Sequence, residues 1–200
     1  MKAEEIVSYL DEIIPNPKCE LEYNKDYELL IATMLSAQTT DKKVNEVTRI
    51  LFKKYKNLTE LKNADIEDLK KIIMPLGTFN KKSQNIIDIA SKLEKVGCVP
   101  NDRAFLESLS GVGRKTANVV MSNLFCENLI AVDTHVERVS KRMKIARNSD
   151  SVIIVEKKLN KFFKNYNLVR IHHQLVLFGR YHCTARKPNC SNCKLKCKQY

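Results

Sequence analysis

Apolar residues along this chain recur at steps of three and four, the spacing that puts side chains on one face of a helix. Ile6, Val7, Leu10, Ile13 and Ile14 form such a stripe over residues 4–14, and Pro15-Asn16-Pro17 ends it. A second helix is expected from Asp26, read as its N-cap, through Leu29, Leu30, Ala32, Thr33 and Leu35. A third runs from Asp41, with Val44, Val47, Thr48, Leu51 and Tyr55 on one face. A fourth begins near Asn63 and stops before Pro75-Leu76-Gly77. The fifth is the plainest, with Ile86, Ile89, Ala90, Leu93 and Val96 in helical register. Asn101-Asp102 opens a short sixth that ends near Leu109. Residues 116–124, 134–143, 151–164 and 168–180 are the remaining helical stretches. Convincing strand alternation is absent, and Leu129-Ile130-Ala131-Val132 is apolar but too short to decide. The pattern predicts an all-α fold, and 200 residues can bury a sizeable core in one or two domains.

One stretch breaks this rhythm. Leu109-Ser110-Gly111-Val112-Gly113-Arg114-Lys115-Thr116-Ala117 puts a tight glycine turn directly before a helix. Glycine tolerates positive φ and close approach of another backbone. The N–H groups that open the helix then point outward at its positive end, which makes an anion site suited to phosphate. Lys115 stands beside that turn, and Val132-Asp133-Thr134-His135 follows further on. Lys115 and Asp133 are read as a candidate catalytic pair. Taken singly, a Gly-x-Gly turn can merely join two helices, and a helical lysine can merely be solvated.

Charge points the same way. The formal net charge is +12 and the pI about 9.4, which favours a polyanionic partner such as nucleic acid, although lysines scattered over solvated faces would give the same sum. The N-terminus lacks a signal-peptide core, and no apolar run approaches the ~20 residues that span a membrane. A soluble cytoplasmic protein is expected. Cys19, Cys98 and Cys126 are scattered and read as reduced, structural residues. Cys183-x6-Cys190-x2-Cys193-x3-Cys197 is instead a four-thiolate signal for a metal. Zinc and an iron–sulfur cube both take four thiolates, and spacing alone does not separate them. His135 reads as a cap or orienting group near Asp133, and His172, His173 and His182 read as structural or solvated.

The glycine turn, Val132-Asp133-Thr134-His135-Val136 and the cysteine cluster together resemble the helix-hairpin-helix DNA glycosylases of the endonuclease III family, over about Tyr27 to Cys197. The resemblance implies two domains: a six-helix barrel over residues 19–127, and residues 1–18 with 128–200 forming an iron–sulfur cluster domain. The active cleft of the family lies between them. It implies a [4Fe-4S] cluster on Cys183, Cys190, Cys193 and Cys197, with zinc as the alternative, and a structural role for it. The family spacing is six, two and five; here the last gap is three. Four residue steps still span up to ~14 Å, and a gap of two already serves two ligands of one cluster.

The resemblance also implies double-stranded DNA as the partner, bound by a monomer. Gly111, Val112, Gly113, Arg114 and Thr116 would grip phosphate. Gln38, in Leu35-Ser36-Ala37-Gln38-Thr39-Thr40-Asp41, would enter the duplex once a base is extruded. The second wedge of the family is an apolar residue after a glycine, whereas here Gly77 precedes Thr78. Lys81 and Lys82 would meet backbone phosphate, as would Arg186 and Lys187 in the loop between the first two cysteines. An amine nucleophile at C1′ would then cut the base–sugar bond, stay attached as a Schiff base and permit β-elimination. An ordinary lysine is almost wholly protonated at neutral pH. Helix polarity, Arg114 and partial burial are expected to favour the amine, and Asp133 to oppose it. Oxidised pyrimidines are the substrates the family implies. A mismatch-specific glycosylase of the same superfamily is one alternative, although that branch typically lacks a lysine at the position of Lys115. A non-catalytic DNA-binding module with a metal is another, and it has no use for Lys115 with Asp133.

Overall fold

The computed structural model describes residues 1–195 and Cys197. The described residues are all-helical, without strands. They divide into two compact units, Glu20–Phe125 and Met1–Cys19 with the chain from Cys126 on.

The unit Glu20–Phe125 is organised around α2 (Asp26–Leu35), whose residues are buried from Tyr27 to Leu35. A helix apolar on every face belongs inside a core. Each fully buried leucine or isoleucine contributes about 1.5–3 kcal/mol, so Leu29, Leu30, Ile31 and Leu35 anchor this unit. The helix starts one residue away from the expected cap. Lys25 is the N-cap, the carboxylate of Glu28 accepts its N–H, and Asp26 is the first helical residue. Asp26 instead accepts from Tyr27 N and from Val99 N, tying the helix start to a distant loop.

Around α2 lie α3 (Asp41–Lys54), α4 (Leu58–Lys62), α5 (Ile66–Ile73), a 3-10 turn (Met74–Leu76), α6 (Phe79–Val96), α7 (Arg103–Glu107) and α8 (Arg114–Phe125). The expected fourth helix is thus preceded by a separate short one. Asn57 caps α4 and Asp65 caps α5, each with a side-chain oxygen. Ile86, Ile89, Ala90 and Leu93 of α6 are fully buried as their spacing requires, while Val96 is exposed where the helix runs out at Gly97.

The second unit contains α1 (Ala3–Ile13), α9 (Thr134–Arg142), α10 (Val152–Phe162) and α11 (Leu168–Leu177), followed by a π-helical turn (Phe178–His182). Its core includes Ile6, Leu10, Val136, Val139, Val155, Leu159, Phe163, Ile171 and Leu175. Asp11 on α1 accepts from Arg170 and Gln174 on α11. The apolar stretch from Leu129 to Val132 is an irregular segment rather than a strand, with Ile130, Ala131 and Val132 buried. Asn160 accepts the Ile130 N–H, so the backbone finds a side chain instead of a ladder.

Candidate active site and nucleic-acid interface

The glycine turn joins α7 to α8 as a helical hairpin. Asp102 caps α7 by accepting from Ala104 N and Phe105 N. The turn closes through Val112 N on Leu109 O, and Ala117 N on Gly113 O begins the α8 ladder. Gly111 has φ +77°, and a Cβ there would stand 2.3 Å from Asn85 Nδ2 of α6. Glycine is therefore required both by the dihedral and by the space. Two hydrogen bonds hold the hairpin against α6: Ser110 Oγ donates to Asp88, and Lys92 donates to Ser108 O.

Gly111, Gly113, Arg114 and Lys115 are exposed and Thr116 is half-buried. Val112 differs from the phosphate contact expected of it. Its side chain is buried and its N–H is spent on Leu109, so it is the apolar foot of the turn. Lys115 is the second residue of α8, in the turn whose N–H groups have no intrahelical partner. The partial burial expected of Lys115 is not supplied by the protein itself.

Gln38 and Thr78 are both exposed, and both are left-handed, at φ +61° and +44°. Such values are uncommon for residues other than glycine, and for a β-branched residue they mark strain. Lys81 is exposed on α6. Lys82 is not the phosphate contact expected: it is 4% exposed, and its ammonium donates to Ala37 O at 3.0 Å and Leu76 O at 2.9 Å.

In the other unit, Asp133 is the N-cap of α9. Its Oδ1 accepts from His135 N at 2.9 Å and Val136 N at 2.8 Å, which fixes the rotamer and leaves Oδ2 outside the cap. One and two turns on, Arg138 and Arg142 fasten the first cysteine. Arg138 donates to Gly179 O and Cys183 O, and Arg142 donates to Cys183 Sγ at 3.3 Å, Thr184 O and Ala185 O. Burial, then the charge of Arg142, lowers the Arg138 pKa, and the fields of Cys183 and Asp133 oppose them. Gly179 lets the π-helical turn approach α9, since a Cβ there would lie 2.8 Å from His135 Cβ. Sequence reading missed both arginines. Their signal was a spacing of four on a helix that already carried Asp133.

The cysteine loop is closed by Asn189 N on His182 O and Thr184 Oγ1 on Lys187 O, with Arg186 and Lys187 exposed on it. Tyr9 and Glu12 of α1 meet the following turn through Asn192 O and Lys194 Nζ. Cys183, Cys193 and Cys197 pack against the core of the unit, while Cys190 is exposed. Burial raises the Cys197 pKa, and Cys193, Cys183 and Cys190 raise it further, so the four sulfurs share one electrostatic neighbourhood. Among the described residues no three His, Cys, Asp or Glu side chains gather closely enough to hold a single metal ion. Of the shortened gap, Lys194 and Leu195 are described and Lys196 lies outside the described residues. No helix among the described residues is long and apolar enough to cross a membrane.

Comparison with known proteins bears on this arrangement as a whole. The family model for the HhH-GPD superfamily base excision DNA repair protein matches residues 31–165. Endonuclease III of Haemophilus influenzae is 47% identical over 191 residues, covering 94% of this chain and 90% of its own. Endonuclease III of Bacillus subtilis is 45% identical over 188 residues, covering 93% and 86%. Among solved structures, a non-covalent endonuclease III–DNA complex superposes with a TM-score of 0.91 at 43% identity, over 98% of this chain and 94% of that one. A trapped endonuclease III–DNA covalent intermediate gives the same values. A thermostable thymine-DNA glycosylase, at 22% identity and a TM-score of 0.82, shares the fold. The chain therefore belongs to the HhH-GPD superfamily and, within it, to the endonuclease III family of base excision DNA glycosylase/lyases.

Proposed function

We propose that this chain, as a monomer in the cytoplasm, excises oxidised pyrimidines from double-stranded DNA and nicks the resulting abasic site, with Lys115 as nucleophile and Asp133 as its acidic partner. The observation that carries this reading is an exposed lysine at the head of α8, next to a glycine turn that opens a helix. The N–H groups there suit a phosphate, which would bring the sugar of the same nucleotide to the amine. Two similar structures are DNA complexes, one of them covalent, which supports the partner and the attached intermediate. We read the Glu20–Phe125 unit as the barrel domain and the other unit as the cluster domain.

The chemistry follows from one amine. Neutral Lys115 Nζ bonds to C1′ as the C1′–N bond breaks, and the base leaves with the bonding pair and a proton. Loss of a proton from Nζ and opening of the sugar give a Schiff base. The iminium acidifies C2′; removal of that proton forms a C2′–C3′ double bond and expels the 3′ phosphate. Water then releases the lysine. The Asp133 carboxylate, held by two backbone N–H groups, stabilises positive charge on the sugar and accepts protons. Gln38 and Thr78 fill the space of the extruded base, and Lys81, Arg114, Arg186 and Lys187 meet phosphates.

Cys183, Cys190, Cys193 and Cys197 would hold a [4Fe-4S] cluster. Their donor set fits one: four cysteines close in sequence, of which Cys183, Cys193 and Cys197 pack against one core, can supply the four thiolates that such a cluster takes. Bound there, the cluster would supply a rigid cross-link whose positive core offsets part of the charge of four thiolates. The purified protein is expected to be brown, with four irons and four sulfides per chain. A colourless protein with one zinc per chain overturns the assignment and leaves the lysine chemistry untouched.

Borohydride trapping on oligonucleotides bearing thymine glycol, an abasic site or undamaged bases tests the activity. Covalent complexes are expected with the first two alone. Binding without trapping or nicking would make the chain a non-catalytic DNA-binding module. Excision from mismatches alone, without thymine glycol, would place it in the mismatch branch.

A further inference from the structure

The wedge assignment leaves one buried charge unexplained. Lys82 is 4% exposed, and among the described residues no carboxylate pairs with it. Burial lowers its pKa, as desolvation of an unpaired ammonium must. A leucine or methionine would fill the same space without that penalty. What the ammonium does instead is join two turns. It donates to Ala37 O, just before Gln38, and to Leu76 O, two residues before Thr78. Both carbonyls come from residues at a helix end, where intrahelical partners run out.

The two turns are unusual in the same way. Four non-glycine residues of the described chain have positive φ, and Gln38 and Thr78 are two of them. Gly77, between Leu76 and Thr78, is also left-handed at φ +66°. Strained residues persist only where their surroundings over-determine them. Here the common surrounding is one ammonium, carried by α6 beside the fully buried Ser83, Ile86 and Ile89.

We propose that Lys82 is a positioning residue for duplex invasion: its buried ammonium yokes the turn at Ala37 to the turn at Leu76, so that Gln38 and Thr78 are presented to DNA as one rigid pair. This rests on the reading of Gln38 and Thr78 as the wedge. Without the yoke, each turn relaxes separately, and filling of the gap behind an extruded base lags. Chemistry at a sugar that needs no extrusion is unaffected, because Lys82 touches no reacting atom.

The test compares Lys82→Met with the wild-type protein on two substrates. Excision of thymine glycol from a duplex, under single turnover, is expected to slow by about tenfold to a hundredfold, the range for a misplaced positioning group. The lyase rate on an abasic site in a single-stranded oligonucleotide should stay within about twofold of wild type. A 2-aminopurine opposite the lesion should brighten more slowly, in step with excision. The double variant Lys82→Met with Gln38→Ala should be no slower than the slower single variant, because both act in one step. Lys82→Gln, which keeps one donor, should recover part of the rate, and carries the comparison if the methionine variant does not fold. Equal losses on both substrates, or a lowered melting temperature with both rates unchanged, would make Lys82 merely structural. If the wild-type protein itself neither traps nor nicks, it is the glycosylase/lyase reading that falls.

Discussion

Lys115→Ala is expected to abolish the borohydride-trapped complex and to lower strand nicking by about four orders of magnitude or more, the scale seen when a covalent nucleophile is removed. The substitution is unusually clean on structural grounds. Lys115 is exposed, so no cavity is left behind, and it lies in a helix where alanine has the highest intrinsic preference. The melting temperature should hold or rise slightly. One positive charge is lost from a chain of net charge +12, so affinity for DNA should fall only modestly and mostly at low salt. Lys115→Arg restores that charge without a nucleophilic amine. It should bind as wild type does and still fail to trap, which separates attack from attraction. An alanine variant that continued to trap would show that another amine attacks, and would remove Lys115 from the reaction.

The parts of the molecule readable from sequence are those whose cause is local. The α6 stripe was legible because four buried residues repeat at helical spacing over a long helix. The hairpin was legible because Gly111 is forced by its own dihedral in a turn that leads directly into α8. What escaped depends on distant groups. The five-residue α4 is too short to show a period, and the start of α2 is shifted by Glu28 reaching back to Lys25. The Leu129–Val132 stretch stayed undecided because its hydrogen-bond partner is Asn160, thirty residues on. Lys81 and Lys82 look alike in sequence, yet one faces solvent and the other is inside. Helical phase turns Lys82 inward with Ile86 and Ile89, and the carbonyls of Ala37 and Leu76 give its ammonium partners there. Arg138 and Arg142 likewise gain their meaning from carbonyls more than forty residues away.

Asp133→Asn should cut turnover by about a hundredfold to a thousandfold, the usual cost of one electrostatic stabiliser, while leaving DNA affinity intact. The cap geometry is what makes asparagine the informative choice. Oδ1 of Asp133 accepts from His135 N and Val136 N, and an asparagine carbonyl oxygen can accept both bonds equally well. The start of α9 therefore survives, and with it the placement of Arg138 and Arg142 on the Cys183 loop. Only the negative charge disappears, so a loss of turnover reports that charge acting on a cationic sugar or on a proton. Asp133→Ala removes the cap as well and should cost about 1 kcal/mol of stability on top of the same kinetic loss. Thermal melts of the two variants thus divide what the carboxylate does for the helix from what it does for the reaction. If the asparagine variant turned over at the wild-type rate, Asp133 would be a helix cap and nothing more, and the proton acceptor would have to be sought elsewhere.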